Sequence, residues 1–97
     1  MSDAGAVVVF APQGPLTMHS AASVLEEGRR LAKAGALVVD MAAVPTADSA
    51  ALALVLDWLR TAREAGHDIV LRSLPPGLAS LAALYDIDAL LPLENGA

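Results

Sequence analysis

The chain contains no cysteine, which excludes a disulfide framework, thiolate chemistry and any cysteine-based metal site. Aromatic residues are nearly missing as well: Phe10, Trp58 and Tyr85 are the three among 97 residues. Positive charge is scarce, with six Lys and Arg against eleven Asp and Glu, a formal net charge of −5. That balance argues against nucleic-acid binding, because release of phosphate counterions needs clustered Lys and Arg. The one basic cluster, Arg29, Arg30 and Lys33, reads as the solvated face of a helix. No apolar run approaches the roughly 18 residues of a membrane span. The opening Met-Ser-Asp-Ala-Gly-Ala also lacks the basic start and apolar centre of a signal peptide. A cytoplasmic protein is therefore expected, reaching a membrane only through a partner.

Catalytic machinery is also missing. His19 and His67 are solitary, and the carboxylates of Asp86 and Asp88 have no neighbouring base, nucleophile or convergent metal set. A Gly-rich phosphate loop is absent, so ATP hydrolysis by this chain is not expected. The sequence predicts no enzyme: no catalytic residue, no metal ligand and no cofactor.

What is present is an apolar, alanine-rich chain, 56% hydrophobic, long enough for one domain. The β-branched run Val7–Phe10 predicts a strand, with turn chemistry at Gly14-Pro15. Thr17 or Ser20 can cap a helix from about Ala21 to Lys33, with Val24, Leu25 and Leu31 inward and Gly35 at its end. Ala36 to Val39 is a short continuous apolar run ending at Asp40, as a central strand requires. A second helix is expected from Ser49 to Ala65, stopped by Gly66, and a third strand at Ile69, Val70 and Leu71. Pro75-Pro76 opens a third helix, whose inward stripe is Leu78, Leu81, Ala82 and Tyr85. The stretch from Ile87 to Leu93 adds a turn or a short edge strand. The order strand–helix–strand–helix–strand–helix predicts an α/β domain, a small mixed sheet covered by about three to four helices. One domain spans 1–97, with its core over about 7–92.

The second helix is the most informative segment. It runs from Ser49 through Leu56 without a charge, and a helix apolar nearly all round is buried on more than one side. At 100° per residue, Leu52, Val55, Leu56 and Leu59 form the stripe that lies on the sheet, with Ala62 and Arg63 at its edges. Ala50, Ala53, Leu54, Asp57, Trp58 and Thr61 make up the remainder. Leu54 and Trp58 are i, i+4 neighbours pointing away from that stripe, and Trp is enriched at interface hot spots. Two readings follow: a partner surface, or a Trp58 that folds back over the first or third helix. Asp48 and Ser49 are residue types that cap helices; a displayed Ser49 hydroxyl also suits partner contact or phosphorylation.

Asp40-x7-Asp48-Ser49-x-Ala51-Leu52 resembles the signature of STAS domains, in which a strand-end Asp precedes a loop and an Asp-Ser/Thr-x-Gly-Leu helix start. Gly14-x-Leu16-Thr17 and the element order match too. Leu52–Leu56, Leu81–Tyr85 and Leu90-Leu91-Pro92 bring it nearest to the STAS subunits of Mla-type lipid-transport ABC complexes. The resemblance implies a non-enzymatic cytoplasmic subunit, peripheral to the inner membrane. It would bind and stabilise or activate an MlaF-like ATPase subunit, whose complex with a membrane permease moves phospholipids between bacterial membranes. It implies partner contact at Ser49 and the start of its helix; together with the outer face of that helix this makes Asp48, Ser49, Ala50, Ala53, Leu54, Asp57 and Trp58 the expected partner-binding residues. The alternative is an anti-sigma factor antagonist controlled by serine phosphorylation. Such antagonists carry their phosphorylated serine one position later, where this chain has Ala50, which leaves Ser49 as the possible acceptor. Ala51 stands in place of the common glycine.

Overall fold

The computed structural model describes residues 7–94. In chain order these form β1 (Val8–Phe10), α1 (Ala21–Ala34), β2 (Leu37–Asp40), α2 (Ser49–Ala65), β3 (Ile69–Arg72) and α3 (Pro76–Leu84), followed by a 3-10 turn over Asp88–Leu90. The α/β alternation is as expected. The three strands make one sheet in the order β1-β2-β3, and both pairings are parallel. Among the described residues the sheet is parallel throughout rather than mixed, because a helix returns the chain to the same end before each new strand. Beyond β3, Leu93 forms a parallel bridge to Leu71, so the tail does supply the short edge segment.

Two successive crossovers in the same direction across a sheet, both right-handed, put both helices on one face. The burial of β2 follows from this: Leu37 and Val39 face the helices and are buried, whereas Val38 and Asp40 alternate to the other face and are only half-buried. The core lies between that sheet face and the helices and includes Leu16, Met41, Leu71 and Leu78.

Local chemistry fixes α2. The Asp48 carboxylate accepts from Ala50 N–H at 2.8 Å, satisfying one of the orphan donors of the first turn. Gly66 ends the helix at φ 77°, a left-handed conformation that glycine adopts without a Cβ penalty. α3 opens on Pro76, whose missing N–H costs nothing there. It closes a residue earlier than its stripe implies. Tyr85 lies past the last turn and is 57% exposed, because the chain turns sharply through Asp86 at φ 61°.

The larger departure concerns α2's second face. Leu54 is 3% exposed and Trp58 is 0% exposed; neither points to solvent. α1 lies over them, and its own fully buried positions are Gly28 and Ala32 rather than Val24, Leu25 and Leu31, which are half-buried. The Trp58 indole fills the space left by the missing side chain at Gly28, where an added Cβ would fall inside the ring. Its Nε1–H donates to Leu25 O at 3.1 Å, and Phe10 meets the ring edge-on at a centroid distance of 5.7 Å. The helix that looked too apolar for a small domain is covered on both sides from within its own chain.

Candidate functional site

With Leu54 and Trp58 buried, the exposed part of the predicted surface shrinks to the start of α2 and the seam it makes with α1. A shallow groove of about 430 Å³ runs along that seam. Ala50, Ala53 and Leu54 line it from α2, and Ala21, Ala22 and Leu25 from α1. Four alanines on facing helices keep the groove open, since each contributes only a methyl group. Met18, on the loop before α1, stands at the rim and is 74% exposed. An unbranched thioether side chain in that position can adapt to an incoming apolar group.

The far end of the groove is polar. Asp57 on α2 receives two hydrogen bonds from Arg29 on α1, at 2.9 Å from Nε and 3.1 Å from Nη2. Arg60 adds a third at 2.7 Å. The hydrogen bond from Arg29 is the main reason the Asp57 carboxyl lies below the usual carboxylate range; partial burial opposes it, and Arg60 reinforces it. A bidentate guanidinium–carboxylate pair also fixes the spacing of the two helices.

Four of the seven predicted residues (Ala50, Ala53, Leu54 and Asp57) therefore meet in one groove. Asp48 and Ser49 are exposed at the first turn, and the Asp48 carboxylate is engaged as the cap. Trp58 lies beneath, where it supports the α1 wall without facing a partner. The α1 side of the groove was missed by sequence reasoning. Its available signal was the pair Ala21-Ala22 at the head of an otherwise charged helix, one turn ahead of Leu25. Arg29, taken as a solvated cation, instead spans the two helices.

Elsewhere the structure offers little chemistry. No three His, Asp or Glu side chains among the described residues come together in a group that could hold a metal ion. The His67 ring nitrogen Nδ1 lies 3.0 Å from Ala32 O, tying the end of α2 to α1. No helix among the described residues is long and apolar enough to cross a membrane.

The sequence model of a family described as "Mlab, STAS domain" matches residues 2–92. No curated protein sequence matches the chain. Among solved structures, a Thermotoga maritima protein described as an anti-sigma factor antagonist superimposes with a TM-score of 0.78 at 18% identity, over 90% of this chain and 77% of that one. At that identity the likeness is one of fold. The family match spans nearly the whole chain, including the capped start of α2 and the groove beside it: this chain belongs to the MlaB-type STAS-domain family.

Proposed function

We propose that this STAS domain is a regulatory protein–protein interaction module that docks through the α1–α2 groove and the first turn of α2. The observation that carries this reading is the groove itself. It joins an exposed methionine to a floor of small residues, and the exposed Ser49 opens the same helix one residue ahead of the Ala50 that lines it. Such a surface can accept an apolar side chain from a partner helix or loop at its floor and polar contacts at Ser49 and the Arg29–Asp57 end.

Two kinds of partner fit. In the antagonist reading the partner is a kinase-like anti-sigma factor, and the fold likeness to a protein described as an anti-sigma factor antagonist gives this reading the more direct support. Ser49 is then the phosphate acceptor, exposed at the α2 terminus where backbone N–H groups favour negative charge. In the transporter reading the partner is the ATPase subunit of an Mla-type ABC transporter, and the family match supports it. In that setting the domain acts by holding or activating the ATPase, and it needs no phosphate.

One experiment separates them. The protein is mixed with each candidate partner and ATP, complexes are isolated by size, and the intact mass of the chain is measured. Phosphate gained at Ser49 with release from the anti-sigma factor is the antagonist outcome. A stable, unmodified complex with the transport ATPase is the other. Ala53→Arg, on the exposed wall of the groove, abolishes either complex; unchanged binding by that variant defeats the proposed surface. Substitutions at Leu54 or Trp58 do not serve here, since both side chains are buried and their loss tests folding.

A further inference from the structure

The α1–α2 groove has a helical repeat and a polarity. Both helices return the chain between parallel strands, so they run in the same direction. Arg29 meets Asp57 and, further along both, Ala32 meets His67. Met18, Ala21, Ala22 and Leu25 follow an i, i+3, i+4, i+7 spacing on one wall, and Ala50, Ala53, Leu54 and Asp57 repeat it on the other. Past the Arg29–Asp57 pair the seam continues between Lys33 and Arg60. Its two ends carry opposite charges that the chain leaves unpaired. Among the described residues Arg29, Arg30, Arg60 and Arg72 each make a salt bridge, whereas Lys33 and, at the head of α2, the exposed Asp48 make none. With Arg29 beside Asp57, Asp48 lies level with Ser20, about 20 Å of helix from Lys33.

Building on the docking role proposed above for this groove, we infer that its occupant is an α-helix of the partner running antiparallel to α1 and α2. That helix carries large apolar residues at three- and four-residue spacing, acidic side chains in its first turn and basic ones in its last. A third helix packs along two parallel ones when its side chains enter the gap between their i, i+3, i+4, i+7 rows. An extended strand repeats every two residues and matches neither wall. The alanines let the incoming axis approach closely and leave the filling to Leu, Met or Phe on the partner. The charges choose the direction. Basic residues in the last turn face Asp48, and acidic residues in the first turn face Lys33, roughly four turns away. A helix is itself most stable with its charges in that order, and its dipole then opposes those of α1 and α2.

The test titrates the isotope-labelled full chain with synthetic peptides and reads its amide NMR shifts between about 10 μM and 1 mM, the range of weak association. The first peptide, of about 18 residues, has Leu at the i, i+3, i+4, i+7 positions, Glu in its first turn and Lys in its last. A second has a central Pro, which breaks the helix. A third has Lys in the first turn in place of Glu. Saturating shifts centred on the Ala22, Ala50 and Ala53 amides are expected with the first peptide. They are expected to vanish with the Pro peptide and in the Ala53→Arg chain. Lys33→Glu is expected to weaken the Glu-headed peptide by about two- to fivefold, as an exposed pair allows, and not the Lys-headed one. Amides away from the groove report that each variant keeps its fold. No shift at the groove up to the highest concentration overturns the inference. So does equal binding of the Pro peptide, or a Lys33→Glu chain indifferent to the first-turn charge. Peptides that fail while Ala53→Arg still abolishes a partner complex defeat the helix and leave the groove standing. A partner complex indifferent to Ala53→Arg defeats the docking reading itself.

Discussion

Gly28 is where the packing of the two long helices can be challenged most directly. A Gly→Ala change inside a helix ordinarily stabilises by up to about 1 kcal/mol, through backbone entropy and propensity. At Gly28 the added methyl would enter the Trp58 ring, with Cζ2 2.6 Å away and two further ring atoms nearer still. The ring cannot step aside cheaply: it is fully buried, edge-packed on Phe10 and hydrogen-bonded through Nε1. Overpacking of this kind costs about 1–3 kcal/mol, and a broken Nε1–Leu25 bond adds about 1 kcal/mol. Strain therefore wins over propensity, and Gly28→Ala should destabilise by about 1–3 kcal/mol, each kcal/mol lowering Tm by roughly 4–8 °C in a domain this size. Urea unfolding followed by Trp58 fluorescence measures it cleanly, since the chain has one tryptophan. A Trp58→Phe background, with a smaller ring, should absorb part of the cost of Gly28→Ala, a coupling that a double-mutant cycle followed by far-ultraviolet circular dichroism reads, since those variants carry no tryptophan. A Gly28→Ala protein as stable as the parent would refute the α1–α2 contact described above.

Three other measurements probe the same frame. Asp48→Ala should lose about 0.5–2 kcal/mol with the cap to Ala50, and Asp48→Asn should restore most of it in thermal unfolding, because the amide oxygen accepts the same bond. The Asp57 carboxyl is held below its ordinary value in the folded state, first by Arg29, so its stabilisation is complete above the unfolded pKa of 3.8 and is lost as pH falls through the lower folded value. Asp57→Asn should accordingly be less stable than the parent at neutral pH by a fraction of about 1 kcal/mol, given the partial exposure of the pair. In denaturant titrations from about pH 5 to pH 2 the gap should then close. Arg72→Ala should release the tail from the sheet edge. The Leu71 and Glu94 amides, now bonded across that edge at 2.8 Å each, should exchange faster with deuterium, while the α2 amides do not change.

Much of the fold was legible because local signals and tertiary need agree along this chain. The runs at Val7–Phe10, Ala36–Val39 and Ile69–Leu71 are too short for helices and bounded by turn residues. The bounds of α2 are written in Asp48 and Gly66, whose side-chain and backbone chemistry each permit one end of a helix. Tyr85 failed for a local reason as well: the i+7 position of a stripe carries information only if the helix reaches it, and Asp86 takes a left-handed turn first. The direction of the strands followed from the helical connections, not from the strands' own residues.

The candidate site was half legible, and the missing half has one cause. A helical wheel sorts the residues of α2 by angle but says nothing about which neighbour covers each sector. The wheel separated Leu54 and Trp58 from the sheet-facing stripe correctly but left their cover open between another protein and a neighbouring helix; the first helix is what covers them. The information sat in α1, in the absence of a side chain at Gly28 and the small one at Ala32, four residues apart on one face. A position without bulk contributes nothing to an apolar stripe, so hydrophobic periodicity passes over the place where a tryptophan is received. Once that socket is recognised, the excess apolarity of α2 is accounted for internally. What remains to be explained on its surface is narrower: an exposed Ala53, a half-buried Ala50, a Met18 standing over them, and Ser49 at the terminus. In the proposed docking the buried pair acts indirectly. Trp58 sets the separation of α1 and α2 from below, Arg29 and Asp57 set it from the side, and the groove keeps its width only while both hold.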